Sequence, residues 1–300
     1  MINSQAIYAY LQTETSFLSE DMLIILGPTA SGKTKLAVEL AQMLDAEIIS
    51  ADSRQVYRHM DIGTGKDLNE YADIPYYLID ILDPGEQYNV SRFLTDFEQA
   101  FTAIKAKGKR VIVCGGTGFY IQALLDEKPY TQVPIDPQFR AQFEGYGKEY
   151  CKSVLADAVL PLGFKVDFSS RKRMIRALEI SRWLQANPMA ELQVLPTYSA
   201  TVIGLQPPLA LRRQRISDRL KNRLDQGMLA EVERLHANGL SFEELEYYGL
   251  EYKYMAYYLQ RRLSYTDFVA KLETEIHRYA KRQMTYFRKM EKDGIRIHWF

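Results

Sequence analysis

Residues 27–34 read GPTASGKT and directly follow the apolar run MLIIL at residues 22–26. The octapeptide matches G-x-x-x-x-G-K-T, the phosphate-binding loop (P-loop) that is also the common ATP-binding motif. The next residues, 35–41, have apolar side chains at helical spacing. A strand, a glycine-rich turn and a helix N-terminus in this order direct backbone N–H groups at an anion. The pattern predicts phosphate binding and leaves open whether the chain hydrolyses a nucleotide, phosphorylates a substrate or holds another diphosphate.

The length and composition of the chain are typical of a globular protein. Its 300 residues are 47% apolar and 25% charged, which is ordinary for a soluble domain. No apolar stretch approaches the roughly 20 residues of a membrane span, and the polar first twenty residues do not resemble a signal peptide. Two cysteines, Cys114 and Cys151, are too few for a disulfide framework. We therefore expect a cytoplasmic protein with no membrane partner. We also expect it to be a monomer.

The net charge of zero conceals an acidic part and a basic part of the chain. Residues 1–168 contain 15 Lys and Arg against 23 Asp and Glu, whereas residues 169–300 contain 23 against 15. The basic excess is concentrated in residues 169–223, which carry 11 basic and 3 acidic side chains. Such an excess is typical of a surface that binds a polyanion, and also of a solvated helical surface.

Strand-like and helix-like segments alternate along residues 22–125, and one more strand-like segment follows later. The predicted strands are Met22–Leu26, Glu47–Ser50, Tyr76–Ile81, Arg110–Cys114 and Thr201–Leu205. The predicted helices are Thr34–Leu44, Ser91–Lys107 and Phe119–Leu125. The alternation predicts an α/β fold, in which a P-loop parallel sheet has helices on both faces. Ligands of such sheets bind beyond the carboxyl ends of the strands.

The chain divides into three parts by composition. Residues 22–125 form the predicted P-loop core. Proline and glycine repeatedly interrupt residues 126–168, which predicts a small helical insertion or lid. Residues 169–300 form a mostly helical C-terminal part that completes the core and carries the basic excess.

Asp52 follows the second predicted strand, where it faces the same edge of the sheet as the phosphate loop. A carboxylate at this point can bind Mg²⁺ or act as a general base on a substrate amine or hydroxyl. The segment Asp52–Ser53 can also simply cap a helix. A second glycine-rich turn, GGTG at 115–118, follows the strand Arg110–Cys114, and Thr117 can donate a hydrogen bond there.

Two helical segments carry basic side chains four residues apart, on one face of each helix. The pairs are Lys172 with Arg176, and Arg215 with Arg219. Either pair can direct two cations at one phosphate group. Near the C-terminus, residues 271–290 interleave basic residues with aromatic ones, which suits contact with a nucleic acid and equally suits a core helix. A tyrosine cluster at 247–258 is interpreted first as core and interface.

Seven segments together resemble the tRNA dimethylallyltransferase (tRNA isopentenyltransferase) family. They are GPTASGKT (27–34), ISADSRQVYRHMDIGTGK (49–66), LIDILDP (78–84), GGTGFYIQALL (115–125), RMIRALEI (173–180), QRISDRL (214–220) and AKRQMTYFR (280–288). The resemblance covers about residues 22–125 and 169–290, and it is specific because so many motifs occur in the right order. The insertion is shorter here than in many members of the family.

The resemblance implies a reaction and its partners. A dimethylallyl group passes from dimethylallyl diphosphate to N6 of the adenosine just 3′ of the anticodon in tRNA, with Mg²⁺ as cofactor. The phosphate loop then holds the diphosphate of the prenyl donor. The binding partner is the anticodon stem-loop of tRNA.

The resemblance also implies roles for individual residues. Asp52 is the general base on the N6 amine, while Thr29 and Arg219 hold the bridging oxygen and the departing pyrophosphate. The diphosphate-binding residues are Gly27, Pro28, Thr29, Ala30, Ser31, Gly32, Lys33 and Thr34, and Thr34 is also the Mg²⁺ ligand. The tRNA-binding residues are Asp52, Ser53, Arg54, Gln55, Thr117, Arg140, Lys172, Arg173, Met174, Ile175 and Arg176.

Other functions compete with this one. An adenylate isopentenyltransferase would share the P-loop core and act on a free nucleotide, but it has no need of the basic residues 169–223. A small-molecule P-loop kinase would need a second carboxylate after the strand Arg110–Cys114, and the sequence has none there. A non-catalytic nucleic-acid-binding module would make the phosphate loop superfluous.

Overall fold

The computed structural model describes residues 3–14, 17, 19–126, 129–161, 164–189, 192 and 196–300. Its described residues form a six-stranded sheet in the order β3-β2-β4-β1-β5-β6. The strands are β1 (Met22–Leu26), β2 (Ala46–Ser50), β3 (Tyr76–Tyr77), β4 (Arg110–Gly115), β5 (Ala200–Gly204) and β6 (His298–Trp299). All neighbouring strands are parallel.

The register of the sheet brings the ends of three strands to one edge. Leu26 of β1 pairs with Gly115 of β4, and Ser50 of β2 pairs with Cys114 of β4. The phosphate loop after β1, Asp52 after β2 and the GGTG turn after β4 therefore lie at the same carboxyl edge, which is where such sheets bind ligands.

Helices surround this sheet and continue through the second half of the chain. The α-helices are α1 (Ser4–Thr13), α2 (Lys33–Leu44), α3 (Val90–Ala106), α4 (Gly118–Leu125), α5 (Pro137–Ala141), α6 (Lys148–Ala156), α7 (Arg171–Ala186), α8 (Leu209–Asp225), α9 (Met228–Ala237), α10 (Phe242–Tyr247), α11 (Leu250–Leu259) and α12 (Tyr265–Lys292). Short 3-10 helices span Leu68–Tyr71 and Pro129–Gln132.

Helices cover both faces of the sheet. On one face, Ile48 of β2 packs in a buried cluster with Leu36 and Leu40 of α2. The adjacent Glu47 points to the opposite face because side chains alternate along a strand. There its Oε2 accepts a hydrogen bond from Lys107 Nζ, at the end of α3, over 2.9 Å. Each residue of β2 is consequently buried, and the predicted α/β fold with a P-loop parallel sheet is confirmed.

The structure shortens one predicted strand and adds two elements. Only Tyr76–Tyr77 of the predicted strand Tyr76–Ile81 joins the sheet, because Leu78 and Asp80 have left-handed φ angles of 61° and 56°. The sequence analysis did not predict α1 or the two-residue edge strand β6. These two meet where Tyr10 Oη lies 2.5 Å from His298 Nδ1.

The chain forms two compact units. The larger contains Met1–Asp126 and Thr197–Phe300, and the smaller contains Glu127–Pro196. This division differs from the predicted boundary at residue 168, because α7 belongs to the smaller unit. Met174 and Leu178 of α7 pack there against Phe139 and Cys151 in a common core. Within the described ranges, no helix is both long and apolar enough to cross a membrane.

Candidate active site

The phosphate loop joins β1 to α2 at the carboxyl edge of the sheet. Gly32 is the N-cap of α2 and has a φ of 88°, a left-handed conformation that costs glycine little. The helix begins at Lys33, so the N–H groups of its first turn have no partner within the helix. The loop therefore presents backbone donors and the positive end of a helix dipole to a ligand at this edge.

Lys33 contributes the side-chain cation of the loop. Its Nζ donates a hydrogen bond to the carbonyl oxygen of Pro28 over 2.8 Å. Burial, together with the positive charge of Arg219, lowers the pKa of Lys33 to about 8, while the negative charge of Asp52 acts in the opposite direction. Asp52 and Arg219 are thus each within electrostatic reach of Lys33, as a composite site requires.

Asp52 is held at the end of β2 by its own backbone. Its Oδ1 accepts a hydrogen bond from the N–H of Arg54 over 2.9 Å. Among the described residues, no hydrogen bond engages Oδ2. The half-buried carboxylate therefore has one oxygen that fixes its orientation and one that is available to a substrate proton.

Thr117 connects the turn after β4 to the segment that carries Asp52. Its Oγ1 accepts a hydrogen bond from the N–H of Ser53 over 3.2 Å, and its own N–H donates to the carbonyl of Ala51 over 3.3 Å. Two of the predicted tRNA-binding residues, Ser53 and Thr117, thus lie together beside Asp52.

Arg219 on α8 lies against the loop of residues 61–67. Its Nη2 donates to the carbonyl oxygen of Gly65 over 3.3 Å and forms an ion pair with Asp67. Gln55, another predicted tRNA-binding residue, donates to the same carbonyl over 3.0 Å. The sequence analysis paired Arg219 with Arg215. In the structure, Arg223 is the arginine that shares the Asp67 carboxylate with Arg219. No ion pair engages Arg215 in the described part of the chain.

Gln283 is a site residue that the sequence analysis missed. It lies on the buried face of α12 and joins two loops of the site. Its Oε1 accepts a hydrogen bond from the N–H of Thr29 over 2.9 Å, and its Nε2 donates to the carbonyl of Gly116 over 3.0 Å. The sequence did contain a signal for it: Gln283 is an uncharged polar residue at helical spacing with the apolar Ile276 and Phe287, which places it on the buried face of the helix.

Glu231 on α9 is a second missed residue, and it fixes the loop that receives Arg219. Its carboxylate accepts hydrogen bonds from the N–H groups of Asp61, Ile62 and Gly63 over 2.8, 2.8 and 3.0 Å. Tyr252 Oη donates a further hydrogen bond to it over 2.7 Å. A buried carboxylate with four donors needs no counter-ion to remain in place.

The arrangement places a carboxylate at the same sheet edge as a cationic phosphate loop, and comparisons with known proteins show the family of the chain. Residues 55–290 match the family model described as IPP transferase, and residues 20–74 match the model described as isopentenyl transferase. The tRNA dimethylallyltransferase 1 of Geotalea daltonii is 49% identical over 93% of this chain and 90% of its own length. The chain belongs to the tRNA dimethylallyltransferase family.

Solved structures agree with this membership of the tRNA dimethylallyltransferase family. A tRNA isopentenylpyrophosphate transferase from Bacillus halodurans superposes with a TM-score of 0.68 and 31% identity, covering 94% of this chain and 89% of that one. A eukaryotic dimethylallyltransferase acting on tRNA gives a TM-score of 0.73 and 25% identity, covering 93% and 74%. The chain is accordingly a prenyltransferase enzyme.

Arg54 lies beside the tyrosine cluster at 247–258. Its guanidinium carbon is 4.6 Å from the centre of the Tyr247 ring, a cation–π distance. Tyr248 and Tyr252 of the same cluster are buried, as the core interpretation predicts, but Tyr247 is 42% exposed. In this member of the tRNA dimethylallyltransferase family, an arginine stacked on an exposed tyrosine is available to a nucleic-acid base.

The smaller unit contains the remaining predicted tRNA-binding residues, and two of them are internal. Met174 and Ile175 are 0% and 6% exposed in the core of that unit. Their side chains pack inside the unit and are not exposed to a ligand at its surface, contrary to the sequence-based expectation of side-chain contact with tRNA. Lys172 and Arg173, on the same first turn of α7, are exposed.

Arg140 and Arg176 are bound to one buried carboxylate within the smaller unit. Glu179 is 3% exposed, and it accepts hydrogen bonds from Arg140 Nε and Nη2 over 3.0 and 2.8 Å. It also accepts one from Arg176 Nη1 over 2.6 Å and one from the N–H of Asp136 over 2.7 Å. Burial raises the pKa of Glu179, but these donors outweigh it and lower the pKa below its usual value.

Replacing Glu179 by Gln is expected to destabilise the smaller unit by about 2–3 kcal/mol. Breaking a fully buried ion pair costs about 3–5 kcal/mol, and the cost is smaller here because Arg140 is 39% exposed. Native-state hydrogen exchange of the α7 amides measures the effect. Glu149→Gln, at an 85% exposed side chain paired with Lys152, should change stability by less than about 1 kcal/mol. Equal effects of the two variants would contradict the prediction.

The phosphate loop has groups that suit a diphosphate with Mg²⁺. Ser31 is fully buried, and its Oγ has no hydrogen-bond partner among the described residues. Thr34 supplies a half-buried hydroxyl on the first turn of α2. The described residues contain no group of three His, Cys, Asp or Glu side chains that could hold a metal alone. Mg²⁺ usually keeps several waters and binds one or two protein groups plus substrate phosphates, so this donor set fits it.

Proposed function

We propose that this tRNA prenyltransferase transfers a dimethylallyl group from dimethylallyl diphosphate to N6 of the adenosine just 3′ of the anticodon. The observation that carries the proposal is the Asp52 carboxylate, which lies at the same sheet edge as the phosphate loop and is electrostatically coupled to Lys33. A general base beside a diphosphate-binding loop suits transfer of a prenyl group from its diphosphate to a weakly acidic amine.

The phosphate loop binds the donor in this proposal. The loop at residues 27–34 binds the diphosphate through its free backbone N–H groups and the Lys33 ammonium, while Thr34 would be the ligand of Mg²⁺. When bound, the ion would neutralise charge on the diphosphate oxygens. Thr29 and Arg219 hold the bridging oxygen, where negative charge accumulates as the carbon–oxygen bond breaks.

Asp52 performs the proton transfer. The exocyclic amine of adenine is a poor nucleophile because its lone pair is delocalised into the ring. As N6 forms its bond to C1 of the prenyl group, its proton moves to the free oxygen of Asp52. Pyrophosphate leaves with the electron pair of the broken carbon–oxygen bond. General-base assistance of this kind contributes about 10²–10⁴ in rate.

The tRNA has to present the adenosine outside the base stack for N6 to reach Asp52. Single-stranded loops are recognised through splayed bases that stack on aromatic or guanidinium groups. Arg54 on Tyr247, together with Ser53, Gln55 and Thr117, surrounds Asp52 and suits this task. We further propose that the enzyme works as a monomer in the cytoplasm, where its two free, buried cysteines match a reducing environment.

The lowered pKa of Lys33 predicts a pH-dependent affinity for the donor. A diphosphate binds the ammonium form, so the proton must be present in the complex. The KM for dimethylallyl diphosphate is therefore expected to be flat below pH about 8 and to rise above it, approaching about tenfold per pH unit. Lys33→Arg keeps a charge that does not titrate in this range, and it should remove the inflection. An inflection that persists in Lys33→Arg belongs to another group.

The decisive experiment incubates the enzyme with unmodified tRNA, Mg²⁺ and dimethylallyl diphosphate, and then measures the masses of the released nucleosides. We expect adenosine to gain one dimethylallyl group in place of a hydrogen. Parallel incubations with free AMP, and with ATP in place of the prenyl donor, test the adenylate isopentenyltransferase and the kinase. Adenosine of unchanged mass, or faster prenylation of AMP than of tRNA, would sink the proposal.

A further inference from the structure

A small cavity lies between the phosphate loop and α8. Thr29 of the loop lines it, together with Arg219, Arg223 and Glu251. The reaction proposed above uses Thr29 and Arg219 on the donor diphosphate and gives no role to Arg223 or Glu251. Two arginines one helical turn apart on α8 thus face a cavity that the diphosphate-binding loop also lines.

Arg223 is a buried cation with an unsatisfied donor. It is 9% exposed, and its Nη2 has no hydrogen-bond partner among the described residues. The nearest carboxylate oxygen, Asp67 Oδ2, is 3.6 Å from Nη2, whereas the same oxygen is tightly bound to Arg219. A buried guanidinium group left without a hydrogen bond is costly, unless a ligand supplies the missing acceptor.

Gly65 makes the space that the Arg223 guanidinium occupies. A Cβ at residue 65 would lie 1.7 Å from Arg223 Nη2 and 2.7 Å from Arg219 Nη2. Gly65 also has a φ of 68°, which L side chains rarely adopt. A side chain at residue 65 would displace both arginines, so the glycine permits their close approach.

The charges around Arg223 leave this cavity favourable to an anion. Burial and the charge of Arg219 lower the pKa of Arg223 to about 10, so the guanidinium is charged at neutral pH. Burial raises the pKa of Glu251, which weakens its ability to neutralise the arginine. Asp67 is shared between two guanidinium groups. Arg219 and Arg223 therefore share one carboxylate oxygen, and a bound anion would give Arg223 an acceptor of its own.

We infer that Arg223 is a second diphosphate-binding arginine, whose free Nη2 donates a hydrogen bond to an oxygen of the terminal phosphate while Arg219 binds the bridging oxygen. The inference rests on the proposed function, because it requires the donor diphosphate at the phosphate loop. Arg223 binds the leaving group rather than the adenosine. Its loss should weaken pyrophosphate and donor binding and leave tRNA binding unchanged.

Calorimetric titration with inorganic pyrophosphate and Mg²⁺ tests this inference on the full chain. Arg223→Met is expected to weaken pyrophosphate binding about tenfold to a hundredfold, the usual loss for a hydrogen bond to a charged group. Arg223→Lys keeps a charge beside Asp67 and Glu251 but lacks the planar fork, and it should lie between the wild type and Arg223→Met. Lys221→Met removes a cation from the exposed side of the same helix and should bind pyrophosphate like the wild type.

The outcomes separate the inference from the function on which it rests. Wild-type enzyme that does not bind pyrophosphate overturns the diphosphate role of the loop and the inference together. If the wild type binds pyrophosphate and Arg223→Met binds it equally well, the inference alone is overturned. The same holds if Lys221→Met loses as much pyrophosphate affinity as Arg223→Met. If Arg223→Met does not fold, judged by its melting curve and tRNA affinity, Arg223→Lys decides: full pyrophosphate affinity in that variant counts against the inference.

Discussion

Asp52→Asn is expected to lower the rate of prenyl transfer by about 10²–10⁴ while tRNA and pyrophosphate still bind. The amide occupies the same volume as the carboxylate, and its oxygen can still accept the hydrogen bond from the N–H of Arg54. It cannot take the proton from N6, so only general-base assistance is lost. Single-turnover prenylation with saturating tRNA and donor measures the chemical step directly.

Asp45→Asn is the matched control for this variant. The Asp45 side chain is 81% exposed at the far end of α2, where it pairs with Lys109. The same change of charge there should leave the single-turnover rate within about twofold, because a surface ion pair contributes little. Wild-type turnover in Asp52→Asn would exclude Asp52 as the base.

The second large effect is expected for Arg219→Met. The variant loses the guanidinium group that stabilises charge on the bridging oxygen, and this typically costs about 10²–10³ in rate. The loss should appear in kcat as well as in donor KM, because the charge on the bridging oxygen grows in the transition state. Steady-state kinetics with varied dimethylallyl diphosphate separate the two parameters.

Arg215→Met provides the comparison for Arg219→Met. Arg215 lies one turn earlier on α8, and it is not one of the residues that line the cavity beside Thr29. Its removal should leave kcat unchanged. If Arg215→Met lowered kcat as much as Arg219→Met, both arginines would act on the same group, as the sequence analysis predicted. That result would contradict the placement of Arg219, without Arg215, at the cavity beside Thr29.

Much of the fold followed from the sequence because its signals are local. The strand before the phosphate loop, β1, is a short apolar run. Both β1 and the helix after the loop, α2, begin and end within one residue of their predicted bounds. The strand predicted over Tyr76–Ile81 was too long because a left-handed φ at Leu78 depends on the surrounding packing. Edge strand β6 pairs with β5 through only two residues, which is too short for a pattern.

Site residues that belong to a sequence motif could be predicted. Site residues that contact each other from distant positions in the sequence could not. The loop at 27–34 and Asp52 follow strands whose ends meet in any parallel sheet of this order. Met174 and Ile175, by contrast, belong to a motif but are buried in the core of the smaller unit. Motif membership alone does not distinguish a residue that packs from a residue that binds.

Most of the sheet, the phosphate loop and the family could be predicted from residues that are adjacent or periodically spaced in the chain. The distant side chains that complete the site became visible only in the folded structure. Gln283 reaches Thr29 across 254 positions, and Arg219 meets Gly65 across 154. Such contacts arise from how α8 and α12 pack beside the sheet. Hydrogen bonds and ion pairs form over a few ångströms, whatever the separation along the chain.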